Sequence, residues 1–142
     1  MLVEQQFTVE GCTIINFSKI ENRAGNITAI QNNIDIPFAI KRVYYLYDVP
    51  GGESRGAHGH RELEQIVIAA SGSFDITIDD GRSTKTITLN KPNVGLHIRS
   101  GIWRGMSNFS SGAICLVLAS EKYAIEDYIR NYEEFLQFKH QI

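Results

Sequence analysis

The chain has 142 residues, of which 43% are hydrophobic and 21% charged, and a formal net charge of -2. That length fits one domain with a real core, and the charge lacks the basic footprint that nucleic acid requires. No apolar run approaches the ~20 residues of a membrane-spanning helix, so neither nucleic acid nor membrane is an expected partner.

The two cysteines, Cys12 and Cys115, lie far apart and outside any CxxC pattern. With no secretory signal read at the N-terminus, both are expected to be thiols in a reducing cytoplasm. Residues 13–17, TIINF, read as a short strand. The segment ENRAGN at 21–26 is a turn, with Gly25 free to take positive φ. Residues 27–31 read as a second short strand, and Pro37 closes the loop that follows. KRVYYLYD at 41–48 is a strand of β-branched and aromatic residues. Its alternation sets Arg42, Tyr44 and Leu46 on one face and Val43, Tyr45 and Tyr47 on the other.

After the Pro50-Gly51-Gly52 turn comes a histidine-bearing strand, and then residues 65–70, apolar enough to be buried on both sides. SFDITID at 73–79 alternates, with Phe74, Ile76 and Ile78 inward; Asp80-Gly81 signals a hairpin, and residues 84–89 return as the partner strand. Further strands are expected at 94–98, at 102–106 around the single tryptophan Trp103, and at 113–120 around Cys115. Then the period changes. Ile125, Tyr128, Ile129, Tyr132, Phe135 and Leu136 recur at three- and four-residue spacings, which predicts an amphipathic helix over about 121–139 with Ser120 as its N-cap. Many short strands followed by one helix point to a sandwich or barrel rather than a parallel α/β sheet.

The chemistry concentrates in GESRGAHGHRELEQ, residues 52–65. On an extended strand, His58 and His60 project to one face. Histidine titrates near neutral pH and is the commonest metal ligand, so the pair reads either as acid/base machinery or as half of a metal site.

These residues resemble the first motif of the cupin superfamily, Gly-x5-His-x-His-x3-Glu, here Gly52, His58, His60 and Glu64, with the closing glycine one position late at Gly72. The second cupin motif is matched by the run from Arg99 to Arg104 with Asn108 in place; its proline is missing and its histidine is Arg104. The resemblance implies an all-β fold, a cupin jelly roll with one C-terminal amphipathic helix. The whole chain would then be a single domain, with the strands in 1–119 and the helix in 120–139.

A narrower resemblance runs through IKRVYYLYD, RGAHGHRELEQ, DDG, VGLHIRSGIW and DYIRNYEEF. These segments look like the cupin-type sugar-nucleotide 3,4-ketoisomerases. That family isomerises dTDP-4-keto-6-deoxy-D-glucose to the 3-keto isomer for amino-sugar synthesis, for surface polysaccharide or an antibiotic. It uses no cofactor or metal and forms homodimers with exchanged N-terminal strands. The resemblance implies His58, His60 and Tyr44 as catalytic residues: His60 as the base at carbon 3, His58 as a shuttle between the two oxygens, Tyr44 as the oxyanion partner. Arg42 and Arg55 match family positions and suit a diphosphate, because a guanidinium fork donates two bonds at once. Trp103 is expected to stack on sugar or thymine, and Gln65 and Arg104 complete the substrate-binding set.

A metal reading would use His58, His60 and Glu64, with Arg104 unable to ligate and His97 as a replacement. Arg104 also leans toward a product of gluco configuration at carbon 4, since the galacto branch often carries histidine there. Ala24 and Gly105 depart from the larger side chains of relatives. A related nucleotide-sugar 3,5-epimerase, a non-catalytic sugar-binding module and a metal-dependent cupin oxygenase are the alternatives.

Overall fold

A computed structural model describes residues 4–6, 9 and 11–140. Among the described residues the strands are β1 (Glu4–Gln6), β2 (Cys12–Asn16), β3 (Arg42–Leu46), β4 (Arg55–His60), β5 (Gln65–Ser71), β6 (Phe74–Asp79), β7 (Thr84–Leu89), β8 (Val94–Ile98), β9 (Trp103–Ser107), β10 (Ile114–Ala119) and β11 (Tyr128–Ile129), followed by the helix α1 (Tyr132–His140). They form two sheets, in the orders β1-β2-β8-β5-β10-β3 and β11-β4-β9-β6-β7. Every pairing is antiparallel. This is the jelly roll that the motifs imply.

Alternation within strands builds the core. Phe74, Ile76 and Ile78 of β6 point inward and are fully buried, against Val67, Ala69, Leu96, Cys115 and Val117 of the other sheet. The opposite face of β5 carries Ile66 and Ile68, which join Ile15, Phe17, Ile36, Phe38 and Leu118 in a second cluster. So β5 is buried on both sides, as its continuous apolar run requires. Burial raises both thiols, Cys12 to about 11 and Cys115 to about 12, and both are free. The β6–β7 hairpin closes at Gly81 (φ 92°), with Asp80 Oδ1 accepting from the backbone of Arg82 and Ser83.

Two local expectations fail. Residues 27–31 form no strand; only one isolated bridge, Ile20 to Ile27, survives there. The segment beyond it instead supplies Ile36 and Phe38 as a cover over the outer face of the six-stranded sheet.

The C-terminal helix is also shorter than its periodicity predicts. It begins at Tyr132 rather than near 121, after a 3₁₀ turn at Ile125–Asp127 and the strand β11. The reason is a long-range partner. Tyr128 and Ile129 pair with His60 and Gly59 on the edge of β4, which takes them out of helical geometry. Asn131 caps α1 through Glu134 N–H (3.1 Å). Ser120, the expected cap, instead accepts Glu64 N–H at 2.8 Å and ties β5 to the end of β10.

Candidate active site

The histidine strand needs two glycines. Gly56 (φ 74°) sits where the β4–β9 register shifts between Arg55 and His58, so it opens a bulge that re-aims the strand. Gly59 separates the histidines because a Cβ there would lie 3.3 Å from both the Ile102 carbonyl oxygen and the Phe135 ring. Between them they deliver His58 and His60 to one face, with ring centroids 4.8 Å apart and nearly perpendicular.

His58 lines a cleft of about 420 Å³ together with Arg42, Tyr44, Arg55, Tyr128 and Arg130. The alternation in β3 accounts for one wall, since Arg42, Tyr44 and Leu46 all face it. Arg42 lies over the rings of Tyr44 (4.9 Å) and Tyr123 (5.4 Å), a cation–π clamp that positions its guanidinium. His60 is fully buried behind this wall, with its ring centroid 4.4 Å from that of Tyr128. Among the described residues, neither His58 Nε2 nor His60 Nε2 has a hydrogen-bond partner, and both atoms are buried.

Both imidazoles are neutral at pH 7. Burial drives the His58 pKa down to about 3, with the Arg104 charge adding to it. Burial and Arg104 likewise lower His60 to about 4, against the opposing pull of Asp127. His60 Nδ1 lies 2.9 Å from Asp127 Oδ2. A carboxylate only accepts, so Nδ1 is the ring nitrogen placed to donate.

Tyr44 is organised by a relay from the interior. Arg104 is 1% exposed; burial lowers its pKa to about 10, which leaves it charged. It donates to the Ile102 carbonyl (3.1 and 3.3 Å) and to Gln65 Oε1. That fixes the Gln65 amide, whose Nε2 donates to the Tyr44 hydroxyl at 2.8 Å. Having accepted there, the hydroxyl has its own proton free for the cleft. Burial raises the Tyr44 pKa, so it remains a donor.

Of the sequence-derived set, His58, Tyr44, Arg42 and Arg55 line the cleft, while His60, Gln65 and Arg104 stand directly behind it. Trp103 is elsewhere. It neighbours Arg104 on β9 and so faces the other side of the sheet, where it packs on Tyr132 and Phe135 of α1 at 5.4 and 5.8 Å. Ala24 lies in an exposed turn, and a Cβ on Gly105 would meet open space. The donors of the metal reading fall into two pairs, His58 with His60 and Glu64 with His97. Glu64 binds His97 Nε2 at 2.8 Å, and among the described residues no three His, Cys, Asp or Glu side chains form a metal-binding group.

Asp127, Tyr128 and Arg130 are the residues that sequence reasoning missed. They belong to the segment read as helix; the pairing of β11 with β4 brings Tyr128 and Arg130 to the cleft wall and sets Asp127 against His60.

The family model described as FdtA: WxcM-like, C-terminal, matches residues 10–140. A curated TDP-4-oxo-6-deoxy-alpha-D-glucose-3,4-oxoisomerase of Aneurinibacillus thermoaerophilus is 45% identical over 125 residues, which cover 88% of this chain and 90% of that protein. The crystal structure of a TDP-quinovose 3,4-ketoisomerase from Campylobacter jejuni is similar with a TM-score of 0.88 at 48% identity, covering 91% of this chain and 99% of that one. A TDP-fucose-3,4-ketoisomerase from the same organism has a TM-score of 0.88 at 38% identity, covering 93% and 98%.

Proposed function

The chain belongs to the FdtA, WxcM-like C-terminal family of sugar-nucleotide 3,4-ketoisomerases, and on that premise we propose that it converts dTDP-4-keto-6-deoxy-D-glucose to the 3-keto isomer by metal-free proton transfer. One observation carries this reading. Two neutral imidazoles, whose Nε2 atoms have no partner among the described residues, stand at a cleft lined by Arg42, Arg55 and Arg130. The arginines suit a diphosphate, and the imidazole lone pairs suit proton abstraction beside a ketone. The division of the metal donors into two pairs supports chemistry by the side chains alone.

In the proposed reaction a base takes the proton from carbon 3, the bonding pair forms the carbon 3–carbon 4 double bond, and the carbonyl pair moves to oxygen 4, which takes up a proton. The resulting enediol loses the proton of oxygen 3 as the carbon-3 carbonyl forms, and the double-bond pair takes a proton at carbon 4. The free proton of Tyr44 stabilises the developing oxyanion. Removal of a carbon-bound proton demands a well-held base, whereas transfer between oxygens can run through a hydroxyl or one water. The Nε2 atoms of both histidines are buried, so exposure does not divide the two roles. His60, whose Nδ1 faces the Asp127 carboxylate, is the base at carbon 3, and His58 shuttles protons between the oxygens. In deuterated buffer, His60→Asn is expected to abolish loss of hydrogen at carbon 3. His58→Asn is expected to retain that loss while net conversion falls. The opposite pattern gives the carbon-3 step to His58.

The product is assigned the gluco configuration. Arg104 stands where the galacto branch often has histidine, and identity is higher to the enzyme named for quinovose, which is 6-deoxyglucose, than to the one named for fucose. Proton NMR checks this: an equatorial carbon-4 hydroxyl agrees, an axial one does not.

The proposal extends to a cytoplasmic homodimer with exchanged N-terminal strands. The outward face of the edge strand β3 supports a subunit contact, with Val43 and Tyr45 54% and 57% exposed and Tyr47 beside them 61% exposed. Sedimentation of the purified protein at twice the chain mass is the expected result.

A further inference from the structure

We propose that Asp127 is a positioning residue that fixes the tautomer of His60, holding its Nε2 as a proton acceptor in the active site. The inference rests on the proton-transfer reading for its catalytic consequence, but its structural content stands apart from it.

The carboxylate is held from several sides. Oδ1 accepts Glu62 N–H at 2.6 Å, and Oδ2 accepts Leu63 N–H at 3.3 Å and faces His60 Nδ1 at 2.9 Å. The Asp127 carbonyl accepts Arg61 N–H at 3.0 Å, and its own N–H donates to Ala124 O at 3.1 Å. The β11–β4 register locks the next residue, Tyr128, opposite His60. Two backbone donors and one imidazole therefore converge on a group that can only accept. Its orientation is set by the fold, and through it the tautomer of His60 is set as well. A neutral His60 must carry its proton on Nδ1, which leaves Nε2 with a lone pair and no partner among the described residues.

Asp127→Asn inverts this arrangement with little change of shape. The amide oxygen stays on the shorter bond, to Glu62 N–H. The amide nitrogen then takes the Oδ2 position, where Leu63 N–H loses its weak 3.3 Å acceptor and His60 Nδ1 is presented with a donor. The imidazole must accept there, so its proton moves to Nε2 and the lone pair on that atom is lost. A carboxylate that orients a catalytic imidazole is worth up to ~10⁴-fold in turnover when it is replaced by the amide.

The test uses histidine-labelled full-length protein and long-range ¹⁵N–¹H correlation spectra, with the His60 signals assigned by comparison with His58→Asn. The wild-type protein is expected to show His60 as the Nδ1–H tautomer, and Asp127→Asn as the Nε2–H tautomer. With dTDP-4-keto-6-deoxy-D-glucose as substrate, kcat of Asp127→Asn is expected to fall by about 10²–10⁴-fold with KM within a few-fold of wild type. An Nε2–H tautomer in the wild-type protein overturns the inference, whether or not the variant folds. So does a variant with unchanged kcat, or one that loses kcat while His60 keeps its tautomer, which is the mark of a merely structural role. If wild-type protein turns over no such substrate, the proposed reaction fails while the tautomer comparison still decides the role of Asp127.

Discussion

Arg104→Met separates the electrostatic from the packing role of the buried arginine. Methionine keeps an unbranched stem and removes the charge. Arg104 is the direct cross-strand partner of His58, and after burial it is the largest influence lowering the pKa of both histidines. Opposed side chains on neighbouring strands put the two charges ~6 Å apart. At an effective dielectric constant of ~20 that repulsion is roughly 3 kcal/mol, about two pH units. On the structural side, the variant strands the Gln65 and Ile102 oxygens at roughly 1–3 kcal/mol each, offset by no longer burying a cation.

The assay is kcat/KM against pH, with circular dichroism at each pH to confirm folding. The imidazoles must be neutral to act as bases, and their pKa values of about 3 and about 4 keep the wild-type profile flat from pH 7 to near 5. In Arg104→Met the acid limb is expected to rise by one to two pH units, and kcat to fall because Gln65 no longer fixes the Tyr44 hydroxyl. A wild-type limb already near 6.5, or a variant limb that does not move, refutes the reasoning.

Other consequences follow from the same geometry. In the wild-type enzyme the acid limb of kcat is expected above that of kcat/KM, because a bound diphosphate offsets the Arg42 and Arg130 charges that help to lower the histidines; the two pH profiles check it. Tyr44→Phe removes the free hydroxyl donor and is expected to lower kcat by about 10²–10³-fold, with the unfolding midpoint little changed. Gly95→Ala places a Cβ 2.7 Å from the Phe17 ring and 2.8 Å from Ile66 Cγ2; urea unfolding is expected to show a loss of about 1–3 kcal/mol. The buried His60 binds its proton less readily when folded, about 4 against an ordinary 6.5. Its contribution to stability is thus whole above pH 6.5 and lost as the pH falls through 4, by roughly 3 kcal/mol. Urea unfolding at pH 7, 5 and 4 is expected to show a shallower decline in His60→Asn.

Period-two reasoning carried far in this chain because most of its elements are strands. It sets Arg42, Tyr44 and Leu46 on one face, which the structure turns to the cleft, sends Phe74, Ile76 and Ile78 into the core, and marks β5 as buried on both faces. The same rule, applied to β9, separates Trp103 from Arg104, and the structure follows the rule rather than the expected stacking role. What local pattern could not reveal was the partner of residues 128–129. Their spacing from Tyr132 and Phe135 suits a helix, but the free edge of β4 competes for their backbone groups and wins. With that pairing came Asp127 and Arg130, the site residues without a local signal. The Gln65 relay was hidden for a related reason, since it joins β3, β5 and β9 through side chains distant in sequence.

One incubation decides whether this chain is a 3,4-ketoisomerase. Chelator-treated protein is mixed with dTDP-4-keto-6-deoxy-D-glucose in deuterated buffer and followed by NMR. A 3-keto product is expected, with hydrogen lost or transferred at carbons 3 and 4 only and the carbon-4 hydroxyl equatorial. Exchange at carbon 5 would identify an epimerase instead, and an unchanged substrate that still binds would contradict catalysis by this site.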